Sequence, residues 1–110
     1  MTRSRTYSTR ALEASRLLGR QIKLARKQRR WSERELATRA GVSRYTVQKI
    51  ERGDMTCALG LVFEAASLVG IHLFEADNSP LARQLRAVDD RIALLPKHTY
   101  APRQVVHDDF

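Results

Sequence analysis

A chain of 110 residues, 43% of them hydrophobic, makes one small packed domain with appendages. Without an apolar run of roughly 18 residues it excludes a membrane span. The lone Cys57 excludes an intramolecular disulfide and fits a reducing cytoplasm. The net charge is 20 − 12 = +8, and it is divided unevenly: residues 1–55 carry 15 Lys/Arg against 5 Asp/Glu, residues 56–110 carry 5 against 7. The basic half suits a polyanion, with a merely solvated basic surface as the plainer alternative.

Residues 1–8 are rich in Arg, Ser and Thr without apolar period, and read as a disordered basic arm. The stretch holds Arg3 and Arg5 but lacks the apolar region of a secretory signal. A first helix is expected from somewhere between Thr9 and Ser15 to about Arg29. Leu18, Ile22 and Ala25 recur at helical spacing, and Leu17 and Leu24 widen the stripe. Ser32 with Glu35 three residues on has the form of a capping box, and Trp31 and Leu36 occupy the positions of a hydrophobic staple. The second helix is short and ends near Ala40. Gly41 permits a tight connection, and Ser43 can cap a third helix that runs to Arg52.

A fourth helix is expected over roughly Ala58 to Val69, with Leu59, Val62, Phe63, Ala66 and Val69 on one face. Ile71–Ala76 has the alternation of a short strand. Ser79-Pro80 reads as an N-cap followed by proline at the first helical position, opening a fifth helix to about Leu95. Leu81, Leu85, Val88, Ile92 and Leu95 are spaced 4, 3, 4, 3, a narrow heptad seam. Residues 97–110 are expected to be an extended or flexible tail.

Two short helices joined by a tight turn can place the second in a DNA major groove, and that geometry demands residue types. A small residue must stand where the helices touch, Ala37. Glycine must open the turn, Gly41, and an apolar residue must plug it, Val42. The second helix must be held by one buried stripe, Val47 and Ile50, which Leu36 and Ala40 meet from the other side. All seven positions within the 15 residues 36–50 are filled suitably. With Val47 and Ile50 buried, Arg44, Tyr45, Gln48, Lys49 and Arg52 must face outward. Arg44 and Lys49 can donate to guanine O6/N7 and Gln48 can pair with adenine. Tyr45 suits a thymine methyl or a phosphate, and Ser43 and Thr46 suit phosphate.

The stretch Trp31–Gly53, WSERELATRAGVSRYTVQKIERG, resembles the Xre/Cro repressor family, and the likeness extends from about Leu17 to Phe74. It implies an all-α, five-helix, lambda-repressor-like helix-turn-helix domain over residues 9–76. A short C-terminal dimerisation strand (Ile71, Leu73, Phe74), an extra helix within 77–96 and a tail over 97–110 complete the expected architecture. The family usually acts as a homodimer on a palindromic double-stranded operator, reading bases from positions that here are Ser43, Arg44, Tyr45, Gln48 and Lys49. In similar domains an acid corresponding to Glu51 pairs with an arginine of the first helix, here Arg26, in a structural role. One departure stands out. Where relatives often place a neutral phosphate-binding side chain, this chain has Glu33, whose carboxylate repels phosphate; Arg34 beside it can compensate.

The strand candidate needs pairing, for which its copy across a two-fold axis would serve; an extended linker is the alternative. The seam needs a surface: a second copy, the domain's own core, or another protein, with Leu85, Val88, Ile92 and the terminal Phe110 as candidate contacts. The ending Asp108-Asp109-Phe110 reads as a short linear motif or a solvated terminus. The run ALGLVFEAASLVGIHLF, then DDRIALLPK and a terminal DDF, is also similar to HipB-type antitoxins. That resemblance implies an autoregulator that sequesters a HipA-like kinase toxin. Against an enzyme, His72, His98 and His107 show no ligand spacing and no glycine-rich phosphate loop is present. No cofactor, metal or membrane partner is expected. A protein-binding module that has lost DNA binding is the other rival, opposed by the exposed Arg44 and Lys49.

Overall fold

The computed structural model describes residues 5–74 and 79–97. Five helices follow in order: α1 Thr9–Gln28, α2 Glu33–Ala40, α3 Arg44–Arg52, α4 Leu59–Leu68 and α5 Leu81–Ala93. The first four belong to one compact unit and α5 to a second. Ser8, Ser32 and Ser43 each accept a hydrogen bond from the backbone three residues on, which satisfies one of the orphan N–H groups at the starts of α1, α2 and α3.

Only one arm of the expected capping box forms. Ser32 Oγ accepts from Glu35 N at 3.0 Å, but the Glu35 carboxylate accepts from Arg39 Nε at 2.8 Å. The charge-assisted bond to the residue one turn on is the stronger use of that acid. Arg39 in turn lies 4.2 Å from the Trp31 ring centroid and Arg29 lies 5.3 Å from it.

The turn after α2 is a left-handed cap. Gly41 sits at φ 72°, and Val42 N reaches back to Ala37 O at 3.0 Å. A side chain at that φ would meet its own backbone, so glycine is the natural choice. The same six-residue closure ends α1, from Trp31 N to Arg26 O at 3.1 Å, but there the left-handed residue is Arg30 at φ 62°.

The core of the first unit is small. Ile22 comes from α1, Leu36 and Ala37 from α2, Val47 and Ile50 from α3, and Ala65, Ala66 and Val69 from the fourth segment. Leu18, Ala25, Trp31, Val42 and Val62 pack around it. α1 packs on α3, and α2 packs on both α3 and α4. Leu17 and Leu24, expected to widen the stripe of α1, are exposed, and so is Leu59 at the start of α4. The α1 stripe narrows because Gly19 and Arg26 take the buried positions beside Ile22.

No strand forms among the described residues, which corrects the reading of Ile71–Ala76. Ile71 and Leu73 pack against the core as the chain leaves α4, which accounts for their alternation. Leu73 and Phe74 then form a turn, with Phe74 at φ 60°, outside the extended region a strand requires. Glu75 and Ala76 lie outside the described residues.

In the second unit, Pro80 is itself the N-cap of α5, at ψ 144°, and no side chain caps the helix. Proline at this extended ψ delays the helix by one residue relative to the Ser79 cap expected. The helix also closes at Ala93, before Leu95. Every seam residue, Leu81, Leu85, Val88, Ile92 and Leu95, is 48–66% exposed.

Candidate nucleic-acid interface

α3 has one buried and one presented side. Val47, Ile50 and Glu51 are buried; Arg44, Tyr45 and Arg52 are exposed, and Thr46, Gln48 and Lys49 are half-buried at the margin. The Lys49 ammonium lies 5.6 Å from the Tyr45 ring centroid, so the two occupy one patch. Ser43 Oγ accepts from Thr46 N at 3.1 Å and lies 3.0 Å from Thr46 Oγ1. One hydroxyl hydrogen is therefore spent inside that pair, leaving the other to donate outward.

Glu33, the first residue of α2, reaches across the turn. Its Oε1 accepts from Arg44 Nε at 3.1 Å and from Gln48 Nε2 at 3.0 Å. Those bonds, from Gln48 first and Arg44 second, hold its carboxyl below the usual carboxylate range, so it is charged at neutral pH. Ser32, Glu33, Arg34 and Arg44 line a shallow concavity at this corner.

Behind the presented side, α3 is clamped to α1. Arg26 Nε donates to Glu51 Oε2 at 2.7 Å and Arg26 Nη2 to Glu51 Oε1 at 3.1 Å, with side chains only 6% and 4% exposed. Arg26 Nη1 donates to Trp31 O at 2.8 Å. The hydrogen bonds to Glu51 outweigh burial and push the Arg26 pKa up. Arg20 Nη1 donates to Glu51 O, and Ser15 Oγ to Gly53 O at 2.9 Å, so α1 also satisfies carbonyls at the end of α3.

Residues 22–75 match the family model HTH_3, described as Helix-turn-helix. This segment is a helix-turn-helix domain of the Xre/Cro type. Domains of that type belong to DNA-binding transcriptional regulators, and the bihelical unit here is α2–turn–α3. No curated protein matches the chain.

The helix-turn-helix segment ends at residue 75, so α5 lies beyond it. Of the trio read as a dimerisation strand, Ile71 and Leu73 are half-buried on the helix-turn-helix core, while Phe74 is exposed and meets the Phe63 ring edge-on at 6.3 Å between centroids. Leu85, Val88 and Ile92 are exposed along α5, and Phe110 lies outside the described residues. No helix among the described residues is long and apolar enough to cross a membrane. No group of His, Cys, Asp and Glu there gathers as a metal site. Cys57 is half-buried, and desolvation pushes its thiol pKa up, away from reactive thiolate.

Sequence reasoning missed two contributors. Arg20 is not among the expected site residues, yet it holds a carbonyl of α3. Glu33 was read against phosphate alone. Its partners are 11 and 15 residues away, and only the turn brings them together.

Proposed function

We propose that this protein is a sequence-specific transcriptional repressor that binds a palindromic operator in double-stranded DNA as a homodimer. The observation that carries the reading is the presented side of α3: Arg44, Tyr45, Gln48, Lys49 and Arg52 stand together on a helix whose opposite side is locked by Val47, Ile50 and Glu51. A rigid helix with this display can enter a major groove. Arg44 and Lys49 would donate to guanine edges, Gln48 would pair with adenine, and Tyr45 would pack on a thymine methyl or donate its hydroxyl to a phosphate. Ser43 and Thr46, with one free hydroxyl hydrogen between them, would hold a phosphate.

The test is binding to the DNA upstream of its own coding sequence across a salt series. Affinity should fall steeply, by about 10³–10⁵ from 50 to 200 mM salt if six to ten phosphates are contacted. Salt-insensitive or absent binding would overturn the reading. Arg44→Ala should cost roughly 1–3 kcal/mol on the preferred site and relax preference at one base pair. An equal loss on all sequences would make Arg44 a phosphate clamp instead.

The exposed seam of α5 favours a second component of the reading. A 13-residue helix that leaves Leu81, Leu85, Val88 and Ile92 at the surface offers an amphipathic face for another protein. With the resemblance to HipB-type antitoxins, the partner is a HipA-like kinase toxin, and the protein is the antitoxin and autoregulator of a toxin–antitoxin operon. Leu85→Asp with Ile92→Asp in the full chain should abolish capture of such a kinase while leaving DNA binding intact. An unaltered chain that binds DNA but captures no kinase would be a stand-alone repressor instead.

A further inference from the structure

We infer that Glu33 is a specificity-determining positioning residue, which holds Arg44 and Gln48 for base reading and denies Arg44 to the phosphate backbone. The inference rests on the DNA-binding reading above and deepens it.

The chemistry follows from which donors are used. Glu33 Oε1 takes only the Nε–H of Arg44, so the 60% exposed guanidinium is anchored through Nε while its two terminal nitrogens keep their hydrogens for another partner. That end-on pair of donors matches guanine O6 and N7. Gln48 gives one of its two amide hydrogens to the same oxygen. The second hydrogen and the carbonyl oxygen remain, which is the pair that adenine N7 and N6 require. One carboxylate oxygen thus sets two neighbouring readers in register.

The alternative use of these groups is sequence-blind. Arg44 is 60% exposed on a flexible stem, and without an anchor it would seek the nearest phosphate. Glu33 opposes that in two ways. It is 28% exposed, so its pairing with Arg44 is partly shielded from solvent. It also puts a negative charge at the start of α2, where the free N–H groups of Ser32, Glu33 and Arg34 would otherwise attract phosphate. The helix terminus tolerates the carboxylate well, so this arrangement costs the fold little. The outcome is a reader with less affinity for DNA in general and more discrimination.

The test uses Glu33→Gln in the full chain, with selection from a randomised double-stranded DNA pool and parallel binding to sheared genomic DNA. Glutamine keeps the size and removes the charge. Binding to sheared DNA should rise roughly threefold to tenfold, and preference at the base pairs read by Arg44 and Gln48 should fall roughly fivefold to tenfold, the scale of one charge-assisted contact. In an Arg44→Ala background the same substitution should leave preference at the Arg44 base pair unchanged, because the cycle removes the residue through which Glu33 acts. A general rise in affinity with undiminished preference would overturn the role of Glu33 while keeping the DNA reading. A wild-type chain that selects no sequence from the pool would overturn both.

Discussion

Glu51→Ala should destabilise the first unit by about 3–5 kcal/mol, the cost of stranding a buried guanidinium whose partner is removed. Arg26 and Glu51 form a bidentate pair with almost no solvent contact, and water cannot replace the lost carboxylate without opening α1 from α3. A small domain holds only about 5–15 kcal/mol in total, so a large part of the population should be unfolded at modest denaturant. Urea melts followed by Trp31, the single tryptophan, measure this directly. Replacing both partners, Arg26→Met with Glu51→Leu, should recover most of the loss, since the desolvation cost of both charges disappears together. About 1 kcal/mol should remain, because the carbonyl of Trp31 loses its bond from Arg26. A Glu51→Ala chain within 1 kcal/mol of wild type would mean that the pair contributes little. DNA affinity should follow stability in these variants, as neither residue stands on the presented side of α3.

Gly19→Ala should be the second large effect, and its sign is opposite to what helix propensity alone predicts. Alanine in the middle of α1 would ordinarily gain up to about 1 kcal/mol. Here a Cβ would stand 2.5 Å from Ile50 O and 2.7 Å from Glu51 O. Both are backbone atoms at the end of α3, so no side chain can swing away; one helix must move. Such overpacking costs about 1–3 kcal/mol, and here it also disturbs the Arg26–Glu51 clamp. A tilted α3 misplaces its readers, so selection from a DNA pool should weaken along with the melt. Gly60→Ala is the matched control. Nothing lies within 4 Å of a Cβ there, and the substitution should be neutral or stabilising by up to about 1 kcal/mol. Equal effects from the two alanines would show that the close approach of α1 to α3 is not tight in solution.

The bihelical unit was legible because its constraints are local. Ser32, Gly41 and Ser43 act on backbone within a few residues, and the Leu36, Ala37, Val47 and Ile50 pattern repeats at helical period, so short-range chemistry was enough to place α2, the turn and α3. The outward row Arg44, Tyr45 and Arg52 followed by subtraction, once Val47 and Ile50 were assigned to the core. The end of α1 was less legible. Arg30 takes a left-handed conformation without glycine, because closing the helix so that Trp31 reaches the core outweighs a local preference. The strand expected over Ile71–Ala76 does not form among the described residues 71–74: apolar residues two positions apart, Ile71 and Leu73, also arise where an irregular segment drapes over a core, and alternation does not separate the two cases.

From its residues alone this chain declares a basic first half, the helix-turn-helix unit and its candidate reading residues, because capping, turn chemistry and helical periodicity act within one or two turns. Tertiary structure decided everything that depends on separated segments meeting. Gly19 matters only because α1 crosses the end of α3, and Leu17 and Leu24 fall outside the core because that crossing admits so narrow a stripe. Glu33 changes from a misplaced acid to an anchor because the turn at Gly41 folds α2 against α3. Charge and hydrogen bonding act through space, and sequence distance says little about which groups the fold will bring within reach.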